Sequence, residues 1–222
     1  MRATAAFSRL LHLPGIWVRQ VGFTAPGVGV TVALRRRRLR CPLCSFETSI
    51  GYDTRPVESR WRHLDLGTWK LELQAGLRRL SCPEHGVRTE GVEFARPGAR
   101  QPRDPDDLIG YLATAMDKTA ICRLLRLDWD TVGRCITRVM GERLNVNRLD
   151  DLFEIGVDEV SWRRRHNYLT LVPDHRRGRL VWGSEGKDAE TLARFFEEFG
   201  TKRAAQITAV SMDMGPAFGK SV

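Results

Sequence analysis

The sequence predicts a multidomain α+β protein: a small β-rich domain, a helical domain and an α/β domain in series. Three observations lead there. Residues 1–96 combine alternating stretches such as VGVTVAL with paired Cys and His spacings, residues 104–144 repeat apolar side chains at 3–4 spacing, and from Phe153 onward strand-like runs surround one helical run. No internal repeat is visible.

With 222 residues and 42% hydrophobic content, the chain has enough apolar surface for packed cores. The formal charge of +9 is uneven: residues 1–103 hold 18 Lys/Arg against 8 Asp/Glu, whereas residues 104–222 hold 18 against 19. Such an imbalance points the first half toward a polyanion, most often nucleic acid, the alternative being a solvated arginine-rich surface. The opening MRATAAFSRLLHLPGIWV is interrupted by Arg9, His12 and Pro14, which fits neither a signal-peptide core nor a membrane span. Five cysteines with metal-like spacing, rather than a disulfide framework, favour a reducing interior, and a soluble cytoplasmic protein is expected.

The expected organisation is a basic domain over 1–96, a linker over 97–104 within the Pro-, Gly- and Arg-rich ARPGARQPRDP, a helical domain over 105–150 and an α/β domain over 151–222.

In the basic domain, Cys41-Pro-Leu-Cys44 and Cys82-Pro-Glu-His85 are matched knuckles separated by 37 residues. Each spacing aims two ligands at one ion from a tight turn, and three thiolates plus one imidazole close a tetrahedral shell. The expected ion is Zn2+ in a structural role, holding a domain whose core draws on Trp61, Leu64, Leu66, Trp69, Leu71 and Leu73. His63 is an alternative fourth ligand, with His85 preferred, and Cys122 and Cys135 read as core residues. Ahead of the first knuckle, Arg35, Arg36, Arg37, Arg38 and Arg40 are candidates for phosphate contact.

Asp104-Pro105-Asp106-Asp107 is a helix start with Asp104 as cap, followed by Leu108, Ile109, Leu112, Ala115 and Met116 on one face. A second helix is capped by Asp117. After the turn Asp128-Trp129-Asp130, a third places Trp129, Val132, Ile136, Val139 and Met140 inward and Thr131, Arg134, Thr137 and Arg138 outward. This is a helix-turn-helix pattern, in which the last helix enters the major groove of double-stranded DNA; a plain three-helix bundle shares the same periodicity.

In the last segment, FEIGVDEV, residues 167–172 and residues 179–182 read as strands. Asp188 caps a helix that ends at Gly200, and ITAVSM leads to Asp213. The crossover helix makes the first and fourth strands parallel neighbours, so that Asp158 and Asp213 meet at one edge of the sheet. A lone aspartate reads as a turn or cap residue; a converging pair suits a divalent cation such as Mg2+ and the chemistry of phosphoryl displacement.

Together these stretches resemble insertion-sequence transposases of the ISL-three group. The resemblance is carried by LHLPGIWVRQVGF, CPLC, WRHLDL, CPEHGV with FARPGAR, LLRLDWDTVGR, IGVDEVSWRR with NYLTLVPD, VWGSEGKD and VSMDMGPAF. It implies zinc-knuckle, helix-turn-helix and partial ribonuclease-H-like catalytic domains in series, with Asp158 and Asp213 as the first two carboxylates of an Asp-Asp-Glu triad. The implied function is Mg2+-dependent cleavage and strand transfer at terminal inverted repeats in a bacterial, nucleoid-associated protein, with homo-oligomerisation an accompanying expectation and no membrane involved. The family's third carboxylate has no counterpart before residue 222, and WRRRH departs from the usual lysine-glycine pattern after the first aspartate. The expectation is therefore a truncated copy that binds zinc and DNA without cutting, the alternative being a non-catalytic zinc-dependent DNA-binding protein derived from a transposase.

Overall fold

The computed structural model describes residues 2–25, 27–144, 147–163 and 167–212. The chain divides into two compact units, residues 1–143 and 144–222.

The first unit begins with α1 (Ala3–Leu11), followed by β1 (Ile16–Thr24), β2 (Gly27–Leu34), β3 (Leu39–Arg40), β4 (Glu47–Thr48), β5 (Asp53–Thr54), β6 (Ser59–Arg62), β7 (Lys70–Ala75), β8 (Arg78–Cys82) and β9 (Gly86–Thr89). Four of these strands form a sheet in the order β1-β2-β7-β6, antiparallel except for the parallel pair β2 and β7. Alternation decides which face is buried. In β2 and β7, Val28, Val30, Val32, Leu71 and Leu73 point inward, meeting Phe7 and Leu11 of α1, Trp61 of β6 and Phe94. Phe94 meets Trp61 edge-on, ring centres 4.9 Å apart. Gly27 is required by the parallel pairing: a Cβ there would lie 2.1 Å from the carbonyl oxygen of Lys70.

The core thus differs from the expected one. Trp61, Leu71 and Leu73 are in it, but Leu66 and Trp69 are exposed, because they pair with each other across the β6–β7 turn and face solvent. Five further members, Phe7 and Leu11 of α1 and Val28, Val30 and Val32 of β2, come from ahead of the first knuckle. The remaining strands form two small ladders, β3-β4 and β5-β8-β9.

Three helices follow in the same unit: α2 (Arg103–Leu112), α3 (Lys118–Leu125) and α4 (Trp129–Arg143). Ile109, Ile121, Val132 and Cys135 form their core, joined by Leu112, Leu125, Leu127 and Ile136. Gly110 lets α2 and α4 cross closely, since a Cβ there would lie 2.6 Å from Val139 Cγ1. Helix α3 starts as expected, with Asp117 accepting from the Ala120 N–H, and α4 is capped by Asp128, which accepts from the N–H and hydroxyl of Thr131. Those bonds hold the Asp128 carboxyl below its usual range. Helix α2 begins two residues earlier than expected, and Pro102, not Asp104, is its cap. Trp129 and Met140, expected inward, are exposed; Cys135 takes the inner position, and Lys118 Nζ lies 4.2 Å from the Trp129 ring centre.

Residues 97–104 are not the free linker the composition suggested. Ala99, Gln101 and Pro102 are buried, and Arg96, 5% exposed, reaches Asp106, Asp107 and Glu142. Composition recorded the glycine and prolines but not the acids that this guanidinium meets on α2 and α4.

The second unit comprises β10 (Glu154–Arg163), β11 (Asn167–Asp174), β12 (Arg179–Glu185), α5 (Ala189–Phe199), α6 (Thr201–Ala204) and β13 (Ala209–Met212). Its sheet runs β12-β11-β10-β13, with β10 and β13 parallel and the other pairs antiparallel. Leu192, Phe195 and Phe199 of α5 pack against Ile155, Val157, Val172 and Val181. Burying one such aromatic contributes roughly 1.5–3 kcal/mol. Asp188 caps α5 and Gly200 (φ 81) ends it.

Candidate metal centre and nucleic-acid interface

The two knuckles sit on neighbouring hairpins. Cys41 follows β3 and its N–H bonds the carbonyl of Phe46, closing the β3–β4 turn; Cys82 ends β8, and Gly86 (φ 68) turns the chain into β9 just after His85. Leu39, Leu80 and Phe46 pack around them. The three sulfurs and a ring nitrogen of His85 all lie within 4.8 Å of one another.

The donor set fits a zinc ion. Cys44 Sγ is 3.7 Å from Cys82 Sγ, and His85 Nδ1 is 3.6 Å from Cys82 Sγ and 3.8 Å from Cys41 Sγ. A tetrahedron with Zn–S near 2.3 Å and Zn–N near 2.0 Å has edges of about 3.8 Å and 3.6 Å. The electrostatics agree. Burial opposes ionisation of Cys82, but bonds from the His85 ring and the His85 and Glu84 N–H groups outweigh it, and its thiol falls to about 6. Cys44 accepts from the Phe46 N–H, which favours its thiolate; burial and the neighbouring sulfurs prevail, and it is pushed up to about 11. A cation among the three sulfurs would offset their mutual repulsion and let them bind as thiolates. The outer nitrogen of His85 has Glu84 Oε1 3.8 Å away, where a carboxylate can steady a ligating ring. His63 stands apart: its Nδ1 accepts from the Leu64 N–H, and burial holds its pKa below the ordinary histidine value.

The arginine cluster is not presented as a block. Arg35 lies over the Trp17 ring and donates to the Ile16 carbonyl, Arg36 reaches Glu47 and Glu93, and Arg40 donates to Glu47 at 2.8 Å. Arg37 and Arg38 are exposed, and their guanidinium groups have no acidic partner among the described residues.

On α4, Arg134 and Thr137 are exposed and Thr131 is half-buried, with Arg134 donating to the Thr131 hydroxyl at 3.1 Å. Arg138 turns inward instead. It donates to both oxygens of Asp106, because that fully buried carboxylate needs a second cation beside Arg96. Three of the four expected outward residues remain available to a groove.

Asp158 lies in β10, an internal strand, on the face opposite α5, and it is exposed. Its Oδ1 accepts from the Glu159 N–H, and no basic side chain pairs with it among the described residues. The parallel register runs from Glu154↔Ala209 to Val157↔Met212. Asp213 lies outside the described residues. Sequence reasoning passed over His175, on the same face, whose Nε2 is 2.6 Å from Ser211 Oγ and lies over Gly156. A histidine in a hairpin turn gives no periodic signal to find it by.

Comparison with known families agrees with this layout. Residues 90–140 match the helix-turn-helix domain of transposase family ISL3, and residues 155–222 match a family described as transposase. The chain is therefore of the transposase class, with a helix-turn-helix ahead of the second unit. It belongs to the ISL3 family. Over 175 residues it is 43% identical to the transposase for insertion sequence element IS1557 of Mycobacterium tuberculosis, an alignment covering 78% of this chain and 39% of that protein. Over 199 residues it is 26% identical to the transposase for insertion sequence element IS1001 of Bordetella parapertussis, covering 87% and 48% respectively. The chain thus spans less than half the length of these relatives. No solved structure matches it.

Proposed function

We propose that the chain recognises the terminal inverted repeats of an insertion sequence and contributes two carboxylates, Asp158 and Asp213, to the divalent-metal site where DNA strands are cut and joined. The observation that carries the reading is the parallel pairing of β10 and β13, whose last registered pair, Val157↔Met212, immediately precedes these two aspartates in sequence. The transposase match over residues 155–222 and the strand order β12-β11-β10-β13 support a ribonuclease-H-like arrangement for residues 151–222. Magnesium, when bound, supplies Lewis-acid activation of a water or 3'-hydroxyl. The protein's part is to hold its carboxylates on a rigid sheet, so that charge is placed before the phosphate arrives.

In the first unit, Cys41, Cys44, Cys82 and His85 hold a structural Zn2+ that fixes the two hairpins. Within the helix-turn-helix, taken as residues 105–150, Thr131, Arg134 and Thr137 face the major groove, while Arg37 and Arg38 contact phosphates.

Manganese binding to the full chain, followed by electron paramagnetic resonance, tests the catalytic half. Asp158→Asn and Asp213→Asn should each lower the affinity at least tenfold. Unchanged binding in both variants would remove the catalytic assignment and leave a zinc-dependent DNA-binding protein.

A further inference from the structure

Beside the metal centre, the first unit contains a groove of about 1110 Å³ between the first knuckle, the β5–β6 loop, the end of β9 and residues 91–103. We propose that this groove takes the sugar-phosphate backbone of duplex DNA, at a stretch separate from the one α4 contacts. The proposal rests on the DNA-binding reading above and adds to it a surface and a set of arginines outside the cluster at 35–40.

Charge accounting singles out the residues. Eight arginines line the groove, against Glu58, Glu90 and Glu93. Five of the eight have carboxylate partners. Arg36 and Arg40 share Glu47, Arg96 is buried among the acids of α2 and α4, and Arg60 and Arg103 each reach one carboxylate at 3.5 Å. Arg55, Arg88 and Arg100 are exposed and have no acidic partner among the described residues; the Arg55 guanidinium donates to the Ser59 hydroxyl. Of the lining acids, Glu90 is buried and consumed by three bonds from Arg78, Glu93 faces Arg36, and Glu58 is exposed on the rim with no basic partner among the described residues.

Unpaired guanidinium groups in a concave wall focus positive potential, and their planar forks match phosphate oxygens. The walls are pre-positioned. Cys41 and Pro42 belong to the knuckle, while Arg96 and Arg103 tie residues 95–103 to Glu142 at the far end of α4. The groove and the helix-turn-helix therefore belong to one body, which favours duplex DNA over an acidic peptide as the occupant.

The test uses the zinc-loaded full chain, fluorescence anisotropy and a potassium chloride series, with a random 30-base-pair duplex and one carrying the element's terminal repeat. In the variant Arg55→Gln/Arg88→Gln/Arg100→Gln, the slope of log K against log salt should shrink by about 2.7, and affinity should fall by the same factor for both duplexes. Each single Arg→Gln variant should account for about 0.9 of that slope, which keeps the test intact if the triple variant folds poorly. Arg134→Ala should instead erode discrimination between the duplexes. A triple variant with unchanged slope beside a weakened Arg134→Ala would overturn the groove and leave the helix-turn-helix reading standing. No duplex binding by the parent chain would end both. Loss of poly-glutamate binding with DNA binding intact would also overturn the proposal, in favour of an acidic peptide.

Discussion

Arg138 donates two hydrogen bonds of 3.1 Å to the carboxylate of Asp106, which has no exposed surface. Arg96 also approaches this carboxylate, to 3.6 Å. Two cations and one buried anion thus join residues 91–103 to α2 and α4. Removing the anion strands both guanidinium groups. Asp106→Ala should cost about 3 kcal/mol, read as a lower urea midpoint for the first unit, because breaking a buried pair leaves uncompensated charge. Asp130→Ala, at an exposed position of α4, should change the midpoint little.

Stripping zinc should act locally. The four-stranded sheet has its own core in Val30, Leu73 and Phe94, so chelation should expose Leu39–Thr48 and Arg78–Thr89 to hydrogen exchange while β2 and β7 stay protected. Cys44→Ala should give the same pattern without chelator. Simultaneous loss of protection across all strands would mean that the metal holds the whole unit together.

His63 should make the first unit sensitive to acid. Burial is the main cause of its lowered pKa, so the folded state binds fewer protons there than the unfolded state. The stability this contributes is present above the unfolded value near 6.5 and is lost as pH falls from there toward the lower folded value. His63→Asn retains an acceptor for the Leu64 N–H and cannot protonate. The parent's unfolding midpoint should drop relative to the variant's as pH falls from 7 to 5; a constant difference would show that His63 does not titrate on unfolding.

A methyl group at the α2–α4 crossing should be felt. Gly110→Ala places Cβ against Val139, and the overpacking should cost about 1–3 kcal/mol despite the helix propensity gained. Gly110→Ala combined with Val139→Ala should recover part of that loss. The check is thermal unfolding by circular dichroism.

What was legible in the sequence was what depends on short spacing. The knuckles, the Asp117 and Asp188 caps and the strand-strand-strand-helix-strand order of the second unit all follow from residues a few positions apart, and the structure has each of them. What escaped depends on partners distant in sequence. The parallel pairing of β2 with β7 joins residues about 43 positions apart, as the register Val28↔Leu71 shows, and no local pattern announces it. Arg96 looked like linker because its acids lie on helices still to come, and Arg138 looked outward because periodicity does not register a buried carboxylate beneath one edge of a helix. The first aspartate is visible as a charge interrupting an apolar strand, and in the structure it is an exposed residue of β10.

Because residues 91–103 are pinned to α2 and α4, the knuckle module and the helical trio form an inflexible caliper. On the DNA-binding reading, a caliper measures. Inserting five base pairs within a recognised end would swing one bound stretch about half a helical turn away from its contact, and the chain has no slack segment between the two gripping surfaces to follow it.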